Sequence, residues 1–458
     1  YPGLQAGRWL IVSGERADVS GVSGLSDAEL VMIAGVEHDT PSTPIPNDGR
    51  PRGGSRTVIT LAGGTADRPG LAFCYWRPTV SIYANVAHAT HGETRREVLG
   101  SGDASKTFQE FALKQSPLTF VSAPTPDGAE STLHVRVTDV LWHETDGLGW
   151  AGPRDRVYVT RTDEKDKRAI GFGDGLHGLR PATGVENIRA QYRSGIGRPG
   201  NVDAGRISQL ATRPLGVKSV VNPLRSSGGA DADRPAQIRR NVPLATSPLD
   251  RLVSVEDYAD FARRFAGIGK ASAARLSDGH SQIVLVTIAG VDDIPIDSTS
   301  DLLRNLRAAF HRFGDPYQQV QVVPRESRLL VISAGIQLLP DYEWESAEPR
   351  VRSALLAAFG FDRRELGQSV FLSEVLAVAQ AVPGVAYVDV DLFDAIGEGN
   401  EVADLESVAK HPKRNDRISA WPGRPNTDAP DPDPRLLPAQ LAWLTPDVPD
   451  ALLLKVLP

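Results

Sequence analysis

Over the first half of the chain, apolar residues come in short runs bounded by Gly, Pro, Asp or Asn; helical spacing appears only after residue 250. Runs at 9–12, 28–33, 57–61 and 79–83 are rich in β-branched or aromatic residues and predict strands. The stretch 40–56 has no hydrophobic period and many breakers, and reads as a loop. In 131–140, Leu133, Val135 and Val137 share one face, the period-2 signature of a half-buried strand. Runs at 156–160 and 187–192 behave the same way, and the charges of 163–167 between them predict a solvated hairpin tip. Residues 223–250 are rich in Gly, Ser, Asp and Pro and read as a connection.

Beyond 250 the pattern becomes α/β. Ser254 is a helix cap, with Glu256 and Asp257 in the first turn and Val255, Tyr258, Phe261, Ala262 and Phe265 at helical spacing. Gly267 ends that helix. Strands follow at 270–276 and 282–289, then a helix opened by Ser298 and a strand at 320–323, which together suggest a split βαβ unit. A second unit has a strand at 328–339, a helix through Val351 and Phe359, a helix capped by Ser373 and a strand at 385–393. The segments 261–271 and 378–388 echo each other as helix, Gly turn, strand; duplication and chance both fit. Residues 397–434 are linker-like. The apolar runs 441–444 and 451–456 beyond them either pack back on their own domain or add a strand to a neighbour.

The fold class expected is therefore multidomain: a β-rich N-terminal half, then α+β (split βαβ-like) domains and an extended C-terminal tail. The divisions are 1–110, 111–222, a linker 223–250, 251–327, 328–396 and a tail 397–458. Gly 43 and Pro 34 in 458 residues favour this turn-rich plan over a compact helical enzyme.

Net charge −7 argues against a general nucleic-acid binder. A single cysteine, Cys74, excludes an intrachain disulfide and fits a reducing compartment; its apolar neighbours predict burial. No apolar run approaches the ~18 residues of a membrane span. The chain starts at Tyr1 with neither an initiator Met nor a signal-peptide pattern, so an upstream part is expected.

Four patterns invite a chemical reading. His88, His91 and Glu93 have zinc-ligand chemistry, but i, i+3 spacing off a helix is not that of a metalloprotease. The run Gly171-Phe-Gly-Asp-Gly-Leu-His-Gly178 resembles a phosphate loop, yet it lies between strands rather than opening a helix. Asp389, Asp391 and Asp394 lack the Gly and Glu of a calcium loop, and fit the polar face of an edge strand. The pairs Asp139/Glu144 and Asp341/Glu343 carry glycosidase chemistry without a sign of one cleft. No catalytic, cofactor-binding or metal residue is assigned. The residues singled out are turn formers: Gly171, Gly173, Asp174, Gly175, Gly178, Gly195, Gly197, Gly200 and Asn201.

Residues 85–103, 113–120, 155–160, 171–178 and 187–202 together resemble the putative baseplate assembly proteins of the baseplate J-like family, as in extracellular-type contractile injection systems. Asn222-Pro-Leu, Ser227-Gly-Gly-Ala-Asp231 and 257–271 extend the resemblance over about residues 1–395, and it fades beyond. It implies a structural wedge subunit, not an enzyme, that pairs with copies of itself and with a second baseplate wedge protein. The wedges would ring the spike hub, link it to sheath-proximal proteins and relay the trigger for contraction. Assembly in the cytoplasm as part of a phage tail-like particle is implied, without cofactor, nucleic acid or membrane insertion. A tail-borne cell-wall hydrolase and a surface adhesin are the rival readings.

Overall fold

The computed structural model describes residues 3–17, 23–39, 56–62, 70–163, 167–195, 197–212, 214–246, 251–277, 281–297, 300–397, 413–426 and 436–457. Two compact units emerge. One comprises residues 1–92 with 198–229, the other 93–197 with 230–458.

The first unit holds a four-stranded sheet of β1 (Trp9–Glu15), β2 (Ser26–Asp39), β3 (Arg56–Leu61) and β4 (Ser81–Tyr83), in the order β3-β2-β1-β4. Leu10, Val12, Val31 and Ile33 form its core, and Tyr75 and Leu71 pack against them. The expected strand at 79–83 starts late because Thr79 belongs to a short 3-10 turn, Arg77–Thr79. Cys74 is exposed, which corrects the expectation of burial. Alternation explains it: Phe73 and Tyr75 turn inward, so Ala72, Cys74 and Trp76 turn out.

The second unit begins with nine strands: β5 (Glu93–Gly102), β6 (Glu110–Ala112), β7 (Phe120–Ser122), β8 (Ala129–Ser131), β9 (His134–Val137), β10 (Val140–Glu144), β11 (Val157–Thr162), β12 (Arg168–Phe172) and β13 (Gly184–Ser194). Seven of them form one sheet in the order β5-β13-β9-β10-β11-β12-β6, and β7 pairs with β8 apart from it. Val135, Ile170, Ile188, Tyr158 and Phe172 fill the core, where the Tyr158 hydroxyl donates to the Leu133 carbonyl at 3.0 Å. The strand expected over 131–140 is a hairpin. Val137 faces Val140, and Thr138 and Asp139 turn the chain with φ of 49° and 65°. Two left-handed residues define a type I′ turn, normally signalled by Asn-Gly; Thr-Asp gave no such signal. Thr138 N–H bonds to the Asn187 carbonyl, and its hydroxyl lies 3.2 Å from Asn187 Nδ2, so tertiary contacts hold the turn.

Two α/β lobes follow. The first has α1 (Pro235–Thr246), α2 (Val255–Arg264), β14 (Ile268–Ser277), β15 (Gln282–Gly290), α3 (Asp301–Phe313) and β16 (Gln319–Pro324). Helix α1 lies in the stretch that reads as a connection. Pro235 starts it, and Gln237 reaches back to accept from Arg234 N–H at 2.8 Å, a local cap at the helix start. Ser254 and Asp257 form a reciprocal capping box on α2, with bonds of 3.1 and 2.7 Å. The cap of α3 is Ser300, whose hydroxyl accepts from Leu303 N–H at 3.3 Å; Ser298 lies outside the described residues. Strand β14 is antiparallel to β15, and β15 is parallel to β16. The parallel strands are immediate neighbours, so this crossover has no strand inserted between them.

The second lobe has β17 (Glu326–Leu338), α4 (Trp344–Phe359), β18 (Val370–Phe371), α5 (Leu372–Gln380), β19 (Val385–Gly397), β20 (Arg417–Ile418), β21 (Arg424–Pro425), β22 (Leu436–Leu437), β23 (Gln440–Trp443) and β24 (Leu452–Val456). Helix α5 starts before Ser373, so the expected cap is corrected. Glu374 takes the role by accepting from Phe371 N–H at 3.2 Å. Strand β17 pairs antiparallel with β19 on one side and parallel with β23 and β24 on the other. The tail thus packs back on its own domain, with Leu441, Ala442, Leu444 and Leu452 buried.

Candidate functional site

The Gly-rich motif closes one end of the seven-stranded sheet. Gly171 and Phe172 finish β12. The chain then turns so tightly that a Cβ on Gly173 would lie 2.3 Å from the carbonyl oxygens of both His177 and Gly178. Gly175 and Gly178 have φ of 89° and 84°, a region that favours glycine. Asp174 organises the turn. One carboxylate oxygen accepts from Leu176 N–H at 2.8 Å and His177 N–H at 2.6 Å, and the other lies 3.3 Å from His177 Nδ1. The backbone bonds from His177 and Leu176 hold its pKa down to about 2.

Neighbouring loops lock onto this turn. Arg180 Nε donates to the Asp174 carbonyl at 2.6 Å, and its Nη1 donates to the Ala104 carbonyl at 3.3 Å. Gly178 N–H bonds to the Gly152 carbonyl, and Leu179 N–H to that of Asp155. Asn187 bridges the irregular start of β13 by accepting from Gly102 N–H and donating to the Ala182 carbonyl, both at 2.8 Å. These bonds fix loops that carry exposed Phe108, Trp150 and Leu176, of which Trp150 is 99% exposed. The Asp174 carboxylate and the Leu176, His177 and Gly178 N–H groups all bond within the protein.

The second motif divides between the two units. In the β-domain, Gly195 and Gly197 have φ of 146° and 93°, and the Gly195 carbonyl accepts from the Thr119 hydroxyl. In the first unit, Gly200 packs against the His91 ring, where a Cβ would sit 2.9 Å from Cγ. Asn201 pairs with Gly229 through two 2.8 Å bonds, one to its N–H and one to its carbonyl. Ser226 donates to the Gly200 carbonyl and accepts from Val202 N–H, each at 2.7 Å. Asn222 accepts from Ile207 N–H at 2.8 Å and donates to the Asp203 and Leu224 carbonyls. Side chains thus replace a sheet ladder over 198–229. Ser226 and Arg180 were not singled out from sequence, and Asn222 and Asn187 entered only within stretches that carry the family resemblance; side chains that bond distant backbone leave no periodic signal.

The other candidates stay apart. Among the described residues, no group of three or more His, Cys, Asp or Glu is placed to hold a metal ion. Glu93 pairs with Arg95 at 2.7 Å. Asp139 meets Arg189 at 3.7 Å, whereas Glu144 accepts from the Thr160 hydroxyl at 2.6 Å. Asp389 and Asp391 lie on the exposed side of β19, toward Arg414 and Lys455, and Asp394 accepts from Asn415 Nδ2. No described helix is long and apolar enough to cross a membrane.

Comparison with known proteins bears on the first α/β lobe. Residues 250–323 match the Baseplate J-like central domain, the span of α2 through β16. The matched span lies within the stretch whose sequence resembles the baseplate J-like family. Among solved structures, a chain of the cryo-EM structure of the anti-feeding prophage (AFP) baseplate, 6-fold symmetrised, is similar at 13% identity. The match covers 77% of each chain with a TM-score of 0.29. No curated protein matches.

Proposed function

We propose that this protein is a structural baseplate subunit of a phage-tail-like contractile injection system. The observation that carries the reading is the match of residues 250–323 to the Baseplate J-like central domain, which spans α2 through β16 of the first α/β lobe. The more detailed role is that of a wedge. Copies of the chain join a second wedge protein around a central spike hub, link the hub to sheath-proximal proteins and relay the trigger for contraction. Ring subunits need several separate surfaces, and a chain of small domains supplies them; heterologous contacts that close by rotation make a ring. Assembly takes place in the cytoplasm. The role needs no catalysis: the motif most like a phosphate loop spends its polar groups on its own backbone.

In this reading the turns at 171–178 and 193–201 hold the loops at the β-domain end in one shape, ready for partners. A deletion strain complemented in trans tests both levels. The wild-type gene should restore syringe-shaped particles in negative stain, and Gly173→Val should restore few or none, because its side chain has no space between two carbonyls. Normal particles in the uncomplemented deletion would refute the baseplate role. Normal particles with Gly173→Val would refute the role of the turn.

A further inference from the structure

Separate apolar clusters fill the two α/β lobes, one over residues 252–322 and the other over 330–452. Between them lies a cavity of about 360 Å³. Arg263, Lys270 and Asp292 line it from the first lobe, and Phe361, Asp362 and Glu365 from the second. A space this large with polar walls is suited to water rather than to packed side chains.

Lys270 crosses this joint. It sits on β14 and is only 4% exposed, a degree of burial that lysine reaches when its charge is held. Its ammonium lies 4.9 Å from the centre of the Phe361 ring and 3.8 Å from the Glu365 carboxylate. Phe361 in turn meets Trp443 edge-on at 5.9 Å, and Trp443 Nε1 donates to the Ser327 hydroxyl at 3.0 Å. A line of contacts therefore runs from β14 to the tail strand β23. A cation over an aromatic face gains most when it is shielded from water, as here.

A joint of another kind lies elsewhere in the same unit. The hairpin of β7 and β8 meets the first lobe at Asp127 and Gly128. Ala266 N–H donates to the Asp127 carbonyl at 2.9 Å, and Arg264 Nε to its carboxylate at 2.8 Å. Gly128, at φ 72°, lies so close to Phe265 that a Cβ would be 2.5 Å from the ring. That joint is close-packed and has one fit. The joint at Lys270 has polar walls and room, while away from the cavity Ala439 N–H donates to the Thr287 hydroxyl at 3.0 Å and Gly423 lies against Leu285, so a second arrangement would turn about those contacts.

We propose that Lys270 is a positioning residue, a latch that sets the angle between the two α/β lobes across an adjustable joint. Released from Phe361 and Glu365, the lobes move relative to one another while each keeps its own core.

The test is a distance distribution between spin labels on the full chain, measured by pulsed electron resonance. The labels sit on exposed Tyr317→Cys and Tyr387→Cys, one per lobe, in a Cys74→Ser background. The unaltered joint should give one narrow distribution. Lys270→Met keeps the stem and removes the charge; it should at least double the width while the melting temperature shifts by only a few degrees. Phe361→Leu, which keeps an apolar contact but removes the ring, should broaden the distribution as well and serves if Lys270→Met does not fold. An unchanged width in a folded variant would overturn the proposal, and so would a wide distribution in the parent.

Discussion

In the first α/β lobe the central strand β15 has β14 antiparallel on one side and β16 parallel on the other. In the second lobe β17 has β19 antiparallel on one side and β23 with β24 parallel on the other. Each central strand leads into a helix, α3 or α4, and each antiparallel partner follows one, α2 or α5. The helix-to-strand turn carries a left-handed glycine both times, Gly267 at 90° and Gly384 at 99°. The two lobes therefore share one sheet plan threaded in two orders. The first takes its strands from one continuous stretch, 268–324; the second waits for its parallel strands until residues 440–456. Loop-closure entropy makes that late pairing costlier to form, so the second lobe depends on the tail for its sheet, whereas the first only meets it, as where Ala439 N–H donates to the Thr287 hydroxyl.

Truncation after Asn426 attacks this difference most directly. It removes buried Leu441, Leu444 and Leu452, the last two from the second core. At about 1.5–3 kcal/mol for each buried leucine, the loss is roughly 5–9 kcal/mol, comparable to the ~5–15 kcal/mol that holds a domain folded. Limited proteolysis should cut throughout 328–397 and spare 251–324. Equal protection of both stretches would break the comparison.

The paired glycines sharpen it. Alanine in the left-handed region costs about 1–2 kcal/mol in backbone strain alone. At Gly267 the new methyl would meet the end of Leu302, which can move; at Gly384 it would meet three atoms of the Tyr342 ring within 2.8 Å. Gly384→Ala should therefore destabilise by about 2–4 kcal/mol and Gly267→Ala by about 1–2 kcal/mol in denaturant titration. The reverse order would mean that the two turns are not equivalent.

Caps separate the lobes by a smaller amount. Ser254→Ala should cost about 1 kcal/mol, the usual worth of a serine cap. Ser373→Ala lies beyond its helix start and should change stability by less than about 0.5 kcal/mol.

The smallest effect is a pH response outside both lobes. Asp174 has its pKa lowered from 3.8 to about 2, so its carboxylate supports the turn fully above pH 3.8. That support is lost as pH falls through the folded value. Exchange at the Leu176 and His177 amides should quicken between pH 4 and 2, and Asp174→Asn should remove the pH dependence. An unchanged dependence in that variant would assign the response elsewhere.

Much of the first lobe was legible because its signals are local. Ser254, Asp257 and the apolar positions of α2 and α3 lie within a few turns of one another, and β16 follows α3 directly. The second lobe showed its helices and its long strands, but the partner of β17 was open. Two apolar runs past a linker do not say which edge they join, and no periodicity encodes a pairing of residue 332 with 452. Ser373 misled because a serine before apolar helical spacing signals a cap, whereas Glu374 makes the bond from inside the helix. The Thr138-Asp139 turn was hidden for a related reason: Asn187, distant in sequence, holds it. In the motif 171–178, Gly175 and Gly178 take positive φ, and the loops that lock onto it through Arg180 left no sign in the sequence. Long-range side-chain-to-backbone bonds have no spacing to read.

The central claim is that this chain works as a baseplate subunit. A gentle pull-down of the tagged full-length protein from the cells that make it, sized by sedimentation and viewed in negative stain, tests that claim most directly. The account predicts large syringe-shaped particles with the tag at the end of the tube. A small free species without sheath or tube proteins would contradict it.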